Sequence, residues 1–322
     1  MSKKALVIRV DSQLARSVEG FIESPEVGYG SISEFAETAL RNQLNLELEE
    51  DSAATSVASS APAPSLTRGL LAKPTDPPGR LMEPRPSSSE ELFVLTNRFG
   101  PIKIACRVLS NLRLEGRGPT IENFQEGAAK SARQLGLKLR ERELTEGIRG
   151  SRRISTAFPV GKNERSAMNR FISSFTVGEN QGAVFGPLAI LGLANIEHGS
   201  VYLTQAGWQL AAAPSPLLGE APGTTLSKEE SAILVKQVAQ SPGERRAVCG
   251  FLKLVKKTGG VQSRVDTELR RANHSWSSEF ATAYRAAMTG RLADLGVASV
   301  DGRGPKAVIQ IADTPDALAL VA

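Results

Sequence analysis

Few residues in this 322-residue chain have the chemistry for metal binding or nucleophilic attack. There are two histidines and two cysteines, and Asp266 and Glu268 stand two apart, as a divalent-cation pair would. His198 and His274 lie far apart and have no cysteine or carboxylate at metal-ligand spacing, so both read as surface or capping residues. Cys106 and Cys249 fall inside helical apolar patterns and read as buried thiols of a reducing compartment rather than as a disulfide. Leu269 and Arg270 continue a helical pattern straight through Asp266 and Glu268, which makes that pair the surface of a helix. There is no nucleophile elbow, no glycine loop followed by Lys-Ser or Lys-Thr, and no carboxylate-plus-lysine nuclease pattern. The expectation is a protein that is not an enzyme and takes neither metal nor cofactor. Trp208 and Trp276 read as core residues.

What the chain concentrates is positive charge. The overall balance, 39 basic against 34 acidic side chains, is a weak argument for a polyanionic partner. Between Arg98 and Arg153, however, 13 Lys or Arg face 6 Asp or Glu, and between Glu244 and Lys306 the count is 12 against 6. Arg140 to Glu143 alternate in sign and partly cancel. Arg303 and Lys306 fall on a glycine-bearing turn between two apolar runs, where a phosphate contact would be made.

Several elements must position these groups. In residues 3–10 alternation puts Lys4, Leu6, Ile8 and Val10 on one face of a strand and Lys3, Ala5, Val7 and Arg9 on the other. Asp11 is an N-cap for a helix to about Ser24, with Leu14, Val18, Phe21 and Ile22 at helical spacing. After a turn with Pro25, Gly28 and Gly30, Ser31 to Glu34 is a capping box opening a second helix. Residues 46–90 are acidic and then rich in Ala, Ser and Pro. Pro62, Pro64, Pro74, Pro77, Pro78, Pro84 and Pro86 forbid a regular element there, so the segment is a flexible, disordered linker.

Helical periodicity returns after Leu92. Ile102, Cys106, Val108, Leu109 and Leu112 form one stripe, and Ile121, Phe124, Ala128, Leu135 and Leu139 the next. A repeat follows: Gly186 to Ile196 matches Gly290 to Val300, sharing Gly, Leu, Ala, Leu, Gly and Ala. Glu164, Arg165, Ala167 and Phe171 match Glu244, Arg245, Ala247 and Phe251 at a shorter offset, with an extra helix near Val261 to Arg271. Each copy ends a helix at a glycine, Gly192 or Gly296, and passes through a strand, a glycine turn and a second strand.

Strand, helix, glycine turn and capped helix over residues 3–44 resemble the ribbon–helix–helix (Arc/MetJ repressor) superfamily. Helices followed by a two-stranded hairpin, with Leu203 to Trp208 leading out of the first, resemble winged helices. The first resemblance implies a homodimer in which two strands pair and enter the major groove of double-stranded DNA. Arg9 would then reach guanine O6 and N7, Ala5 and Val7 thymine methyls, and Lys3 a phosphate. The N-terminus of the second helix, opened by Ser31 and with free amides at Ile32, Ser33 and Glu34, would hold a backbone phosphate, and Arg303 and Lys306 would contact DNA from the second wing. With five basic and six acidic side chains in residues 1–45, the head has little electrostatic affinity of its own.

The expected architecture is mainly α. It has a ribbon–helix–helix head over 1–45, the linker 46–90, a basic helical region with the first winged-helix-like unit over 91–215, and the second unit over 225–322. The expected role is a dimeric, sequence-specific DNA-binding regulator of transcription. The rival is a DNA-recognition adaptor of a plasmid-maintenance or anti-phage system whose body docks protein partners. Arg9 and Asp11 interrupt any signal-peptide core, and no apolar run approaches the roughly 20 residues of a membrane span. The expected location is therefore cytoplasmic, with no membrane partner.

Overall fold

The computed structural model describes residues 69, 71–77, 79–84, 91–92, 96–112, 118–148, 153–180, 182–219, 225–302 and 304–314. The segment expected to form a ribbon–helix–helix head, with Lys3, Ala5, Val7, Arg9, Ser31, Ile32 and Ser33, lies outside the described residues, as does Arg303. What is described is mainly helical.

The first predicted stripe becomes α1 (Gly100–Asn111), which buries Ile102, Cys106, Val108 and Leu109. The second becomes α2 (Ile121–Thr145), capped by the Thr120 hydroxyl accepting from the Asn123 amide at 3.3 Å. Phe124, Ala128, Leu135 and Leu139 face α1 and the core. A third helix, α3 (Glu164–Phe175), leads to a short hairpin, β1 (Gly178–Asn180) with β2 (Ala183–Phe185), and a single turn, α4 (Pro187–Ile190). Then come the hairpin β3 (Ala194–Glu197) with β4 (Ser200–Leu203) and helix α5 (Gln205–Ala212). Helix α6 (Lys228–Gln240) opens the second half. It is followed by α7 (Pro242–Thr258), α8 (Gln262–Ala272), α9 (Ser278–Asp294) and the hairpin β5 (Ala298–Asp301) with β6 (Val308–Ile311).

Two stretches share an order of parts, helix, a one-residue bridge, helix, helix, hairpin, with the β1–β2 hairpin and α4 inserted before the final hairpin of the first. Thr120, just before α2, bridges Ser200 on β4, with the Val201 amide donating to Pro119 O at 2.9 Å. Val261, just before α8, bridges Val308 on β6, with the Gln262 amide donating to Ala307 O at 3.0 Å. The two predicted helix-terminating glycines behave alike. Gly192 and Gly296 adopt φ of 61° and 70°, and the following residues, Leu193 and Val297, donate five residues back to Leu188 O and Leu292 O, each at 2.8 Å. This is the Schellman closure, which needs a left-handed residue that glycine supplies without strain. The hairpin at 197–200 turns on His198 (φ 51°) and Gly199 (φ 74°), the paired left-handed residues of a two-residue turn.

The rest of the sequence match is reassigned. Gly186 caps a four-residue helix at φ 97°, whereas Gly290 lies inside α9, where Asn97 O packs against the space a Cβ would fill. Glu164 is exposed and pairs with Arg133, whereas Glu244 is fully buried. The order of parts makes α7 the counterpart of α1, not of α3.

Residues 64–322 form one compact unit, and buried charge joins its halves. Lys103 on α1 is wholly buried. Its Nζ lies 2.8 Å from Glu230 Oε1 on α6 and donates to Leu210 O and Ala213 O at the end of α5, at 2.5 and 2.7 Å. Arg107, one turn on, also donates to Ala213 O at 2.8 Å. Glu230 closes a capping box with Ser227. At the opposite side of the core, Glu244 on α7 faces Arg291 on α9 at 3.3 Å and accepts from the Leu92 amide at 2.8 Å. Asp294 holds Arg98 and the Phe99 amide, both at 2.8 Å. The Pro-rich stretch is also partly laid on the body. The Met82 amide donates to Leu203 O at 2.9 Å, and Arg80 pairs with Glu197 at 2.6 Å over the Tyr202 ring.

Burial pushes the Lys103 ammonium down to about 8 from 10.5, against the pull of Glu230. Its folded value lies below its unfolded one, so between about pH 8 and 10.5 the unfolded chain holds the extra proton and stability from this group rises with pH. Urea midpoints measured across that window should climb for the wild-type chain more than for Lys103→Met. Parallel curves for the two would remove Lys103 as the cause.

Candidate nucleic-acid interface

The two basic regions of the sequence have different fates. In the first, Lys103 and Arg107 are core residues and Arg98 is held by Asp294. Arg133 donates to Pro159 O and Gly161 O, and Arg140 to Val160 O, so both fix a loop against α2. The sequence showed these positions only as part of a cationic surplus. Tertiary packing makes them internal fasteners.

The second region keeps its charge at the surface. Helix α7 buries Val248, Phe251, Leu252 and Val255 along one side, and its only carboxylate, Glu244, is buried with them. The opposite side exposes Arg245, Arg246, Lys253, Lys256 and Lys257. Arg246, Gly250, Lys253 and Lys257 recur at steps of four, three and four, which places them in one row. Gly250 is exposed with open space where a Cβ would stand, leaving a flat step in the row. The row runs about 16 Å along the helix axis, the rise of roughly five base pairs.

The row continues onto α8. Lys257 Nζ lies 2.6 Å from Glu268 Oε2, and Arg271 reaches the same carboxylate at 3.5 Å. Lys257 donates to Glu268 and holds its carboxyl below the ordinary range, aided by Arg271. Arg264 lies one turn before Glu268 on α8 and is exposed, as are Arg270 and Arg271. Glu268 thus ties the ends of the two helices and sets their cations in one ridge. Lys256 and Lys257 suit the negative end of α7, but Arg245 and Arg246 stand at its positive end, where the helix dipole disfavours them. Local rules broken at a surface point to a site rather than to stability.

Asp266 and Glu268 do not converge. Asp266 receives Arg285 at 2.7 Å and the Thr282 hydroxyl at 3.2 Å from α9, whereas Glu268 turns to α7. Among the described residues no group of three or more His, Cys, Asp or Glu is placed to hold a metal ion. Cys106 is fully buried, and desolvation pushes its thiol up to about 12, which makes it inert. His198 is a turn residue, and His274 is exposed between α8 and α9. Lys306 is exposed on the turn between β5 and β6. Helix α9, which precedes that hairpin, exposes no cation: Arg285 is half-buried against Asp266 and Arg291 is buried. The α7–α8 ridge was missed as a unit in the sequence, although the i, i+4, i+7, i+11 row in α7 was there to be read.

Comparisons of the chain with protein-family models, with curated proteins and with solved structures find no match. Among the described residues no helix is long and apolar enough to cross a membrane.

Proposed function

We propose that this chain is a DNA-binding protein that dimerises through its N-terminal ribbon, reads sequence with Arg9, Ala5 and Val7, and draws its affinity for the phosphate backbone from the α7–α8 ridge. The observation that carries the reading is the ridge itself: eight exposed cations on two adjoining helices, against two half-buried carboxylates on α8, Glu268 tied to Lys257 and Arg271 and Asp266 tied to Arg285. A head with no cationic surplus needs such a surface elsewhere on the chain. The repeated order of helix, bridge, helix, helix and hairpin supports reading the body as two winged-helix-like units. In the second unit the backbone contacts come from its first two helices, with Lys306 on the wing as an outlying contact.

Regulation of transcription is the role that fits a dimeric sequence reader. An adaptor role, with the body docking a protein, is favoured by one observation: Leu137 and Leu144, seven residues apart on α2, are both more than two-fifths exposed.

The test is a titration of duplex DNA over a range of salt. Each phosphate contact removed lowers the slope of log K against log salt by about 0.9. The variant Lys253→Gln/Lys257→Gln/Arg264→Gln should therefore flatten the slope by about two to three while leaving sequence preference intact. Arg9→Ala should do the converse, abolishing selective enrichment from a genomic-fragment pool with little change in slope. An unchanged slope in the triple variant removes the ridge from the interface.

A further inference from the structure

At the junction of α8 and α9 an aromatic stack reaches the surface. Trp276 packs its ring 4.9 Å from Tyr284 and 4.8 Å from Phe280, the latter edge to face at 72°. Tyr284 is buried, and its hydroxyl donates to Glu91 at 3.3 Å, so the inner end of the stack is anchored. Phe280, in the first turn of α9, leaves 42% of its surface in solvent. Its backbone amide donates to the Ser277 hydroxyl at 3.1 Å, which fixes the turn that carries it. The ring is thus propped rather than free to fold down.

The surroundings are cationic and small. Arg270, Arg271 and His274 are exposed in the preceding segment, and Ser275, Ser277 and Ser278 leave the approach open. The carboxylate at this spot, Glu279, accepts from the Ser278 hydroxyl at 2.9 Å and lies within the field of Arg270. Arg271 belongs to the α7–α8 ridge, so the stack stands at the ridge's end.

We propose that Phe280, propped on Trp276, is a stacking platform for an unpaired nucleobase, with Arg270 placed to meet the neighbouring phosphate. The inference rests on the nucleic-acid reading above and extends it from duplex to single-stranded or locally opened DNA. A base has a π face whatever its identity, so the platform is tolerant of sequence, and the cations track the backbone beside it. Charge complementarity favours a polyanionic strand over an apolar protein segment, because the guanidinium groups of Arg270 and Arg271 are exposed beside the stack.

The experiment measures anisotropy of a labelled oligothymidine and of a duplex on the full chain. Phe280→Ala should weaken oligothymidine binding about tenfold or more, the loss that removal of one stacking partner gives. Phe280→Trp should retain it, and the duplex affinity of both variants should stay at the wild-type value. The thermal midpoint should fall only slightly, because the ring is half-exposed and packs at the rim of the core on Trp276. Oligothymidine affinity unchanged in Phe280→Ala overturns the platform and leaves the stack as a protein-docking patch. An equal loss on duplex overturns it too, because the ring would then serve general binding. The ridge is judged separately, by the salt slope of the triple variant, so either reading can fail alone.

Discussion

Arg291→Met is expected to destabilise the body by about 3–5 kcal/mol at neutral pH, because it strands the Glu244 carboxylate in the core without its cation. Both side chains are essentially inaccessible, and Arg291 also donates to Thr96 O at 2.7 Å while Glu244 receives the Leu92 amide. The loss therefore also loosens the segment that leads into α1. Its pH dependence identifies the cause. Burial already holds the Glu244 carboxyl above 4.5 despite Arg291, and removing the guanidinium raises it further. The folded variant keeps a proton that the unfolded chain releases. The stability tied to that proton is complete below 4.5 and is lost as pH rises through the folded value. Urea midpoints should show a deficit that is larger at pH 7 than near pH 4.5. A deficit of one size at both would assign the loss to packing alone. The double variant Glu244→Leu/Arg291→Met should recover much of the stability, since apolar replacement of a whole buried pair is often close to neutral.

Gly207→Ala should also unfold the body more readily, by about 2–3 kcal/mol, although alanine is the better helix former by about 1 kcal/mol. Gly207 sits in the first turn of α5, its amide donating to the Thr204 hydroxyl at 3.2 Å. A Cβ there would fall inside contact distance of Leu193 O, the carbonyl that receives the Thr204 amide at the end of the β3–β4 hairpin. The helix and the strand approach each other through the missing side chain. Helix and hairpin would have to separate, and neither neighbour is a flexible side-chain tip. A rise in the thermal midpoint would show that propensity wins and that the close approach relaxes easily.

The local devices of the body were legible in the chain. Gly192 and Gly296 read as helix terminators because a left-handed residue is needed there and few residues supply one without strain. The hairpins at 194–203 and 298–311 were read from glycine turns between apolar runs, and the extra helix near Val261 to Arg271 is α8. These are short-range choices, set within a few residues of backbone and capping chemistry. The apolar stripe of α2 likewise reported which side faces a core.

The sequence could not say what covers a polar stripe. Lys103 and Arg107 are one turn apart on α1 and were counted in the first cationic stretch. They are buried because the end of α5 and the start of α6, more than a hundred residues along the chain, close over them and supply carbonyls and the Glu230 carboxylate. Asp266 and Glu268 could be placed on one helix from their pattern, and two residues apart they point to opposite sides of it, but only the packing of α7 and α9 decides what each one meets. The repeat showed the same division, since shared residues marked Gly186 and Gly290 as equivalent while their settings differ.

By itself, then, the sequence determined where helices stop, where hairpins turn, and that positive charge gathers in residues 98–153 and 244–306. Only the tertiary structure decided which cations are fasteners and which form a surface. A charge meets solvent or a partner according to what packs on it. That packing is set by elements remote in the chain, whereas caps, turns and periodicity are settled locally.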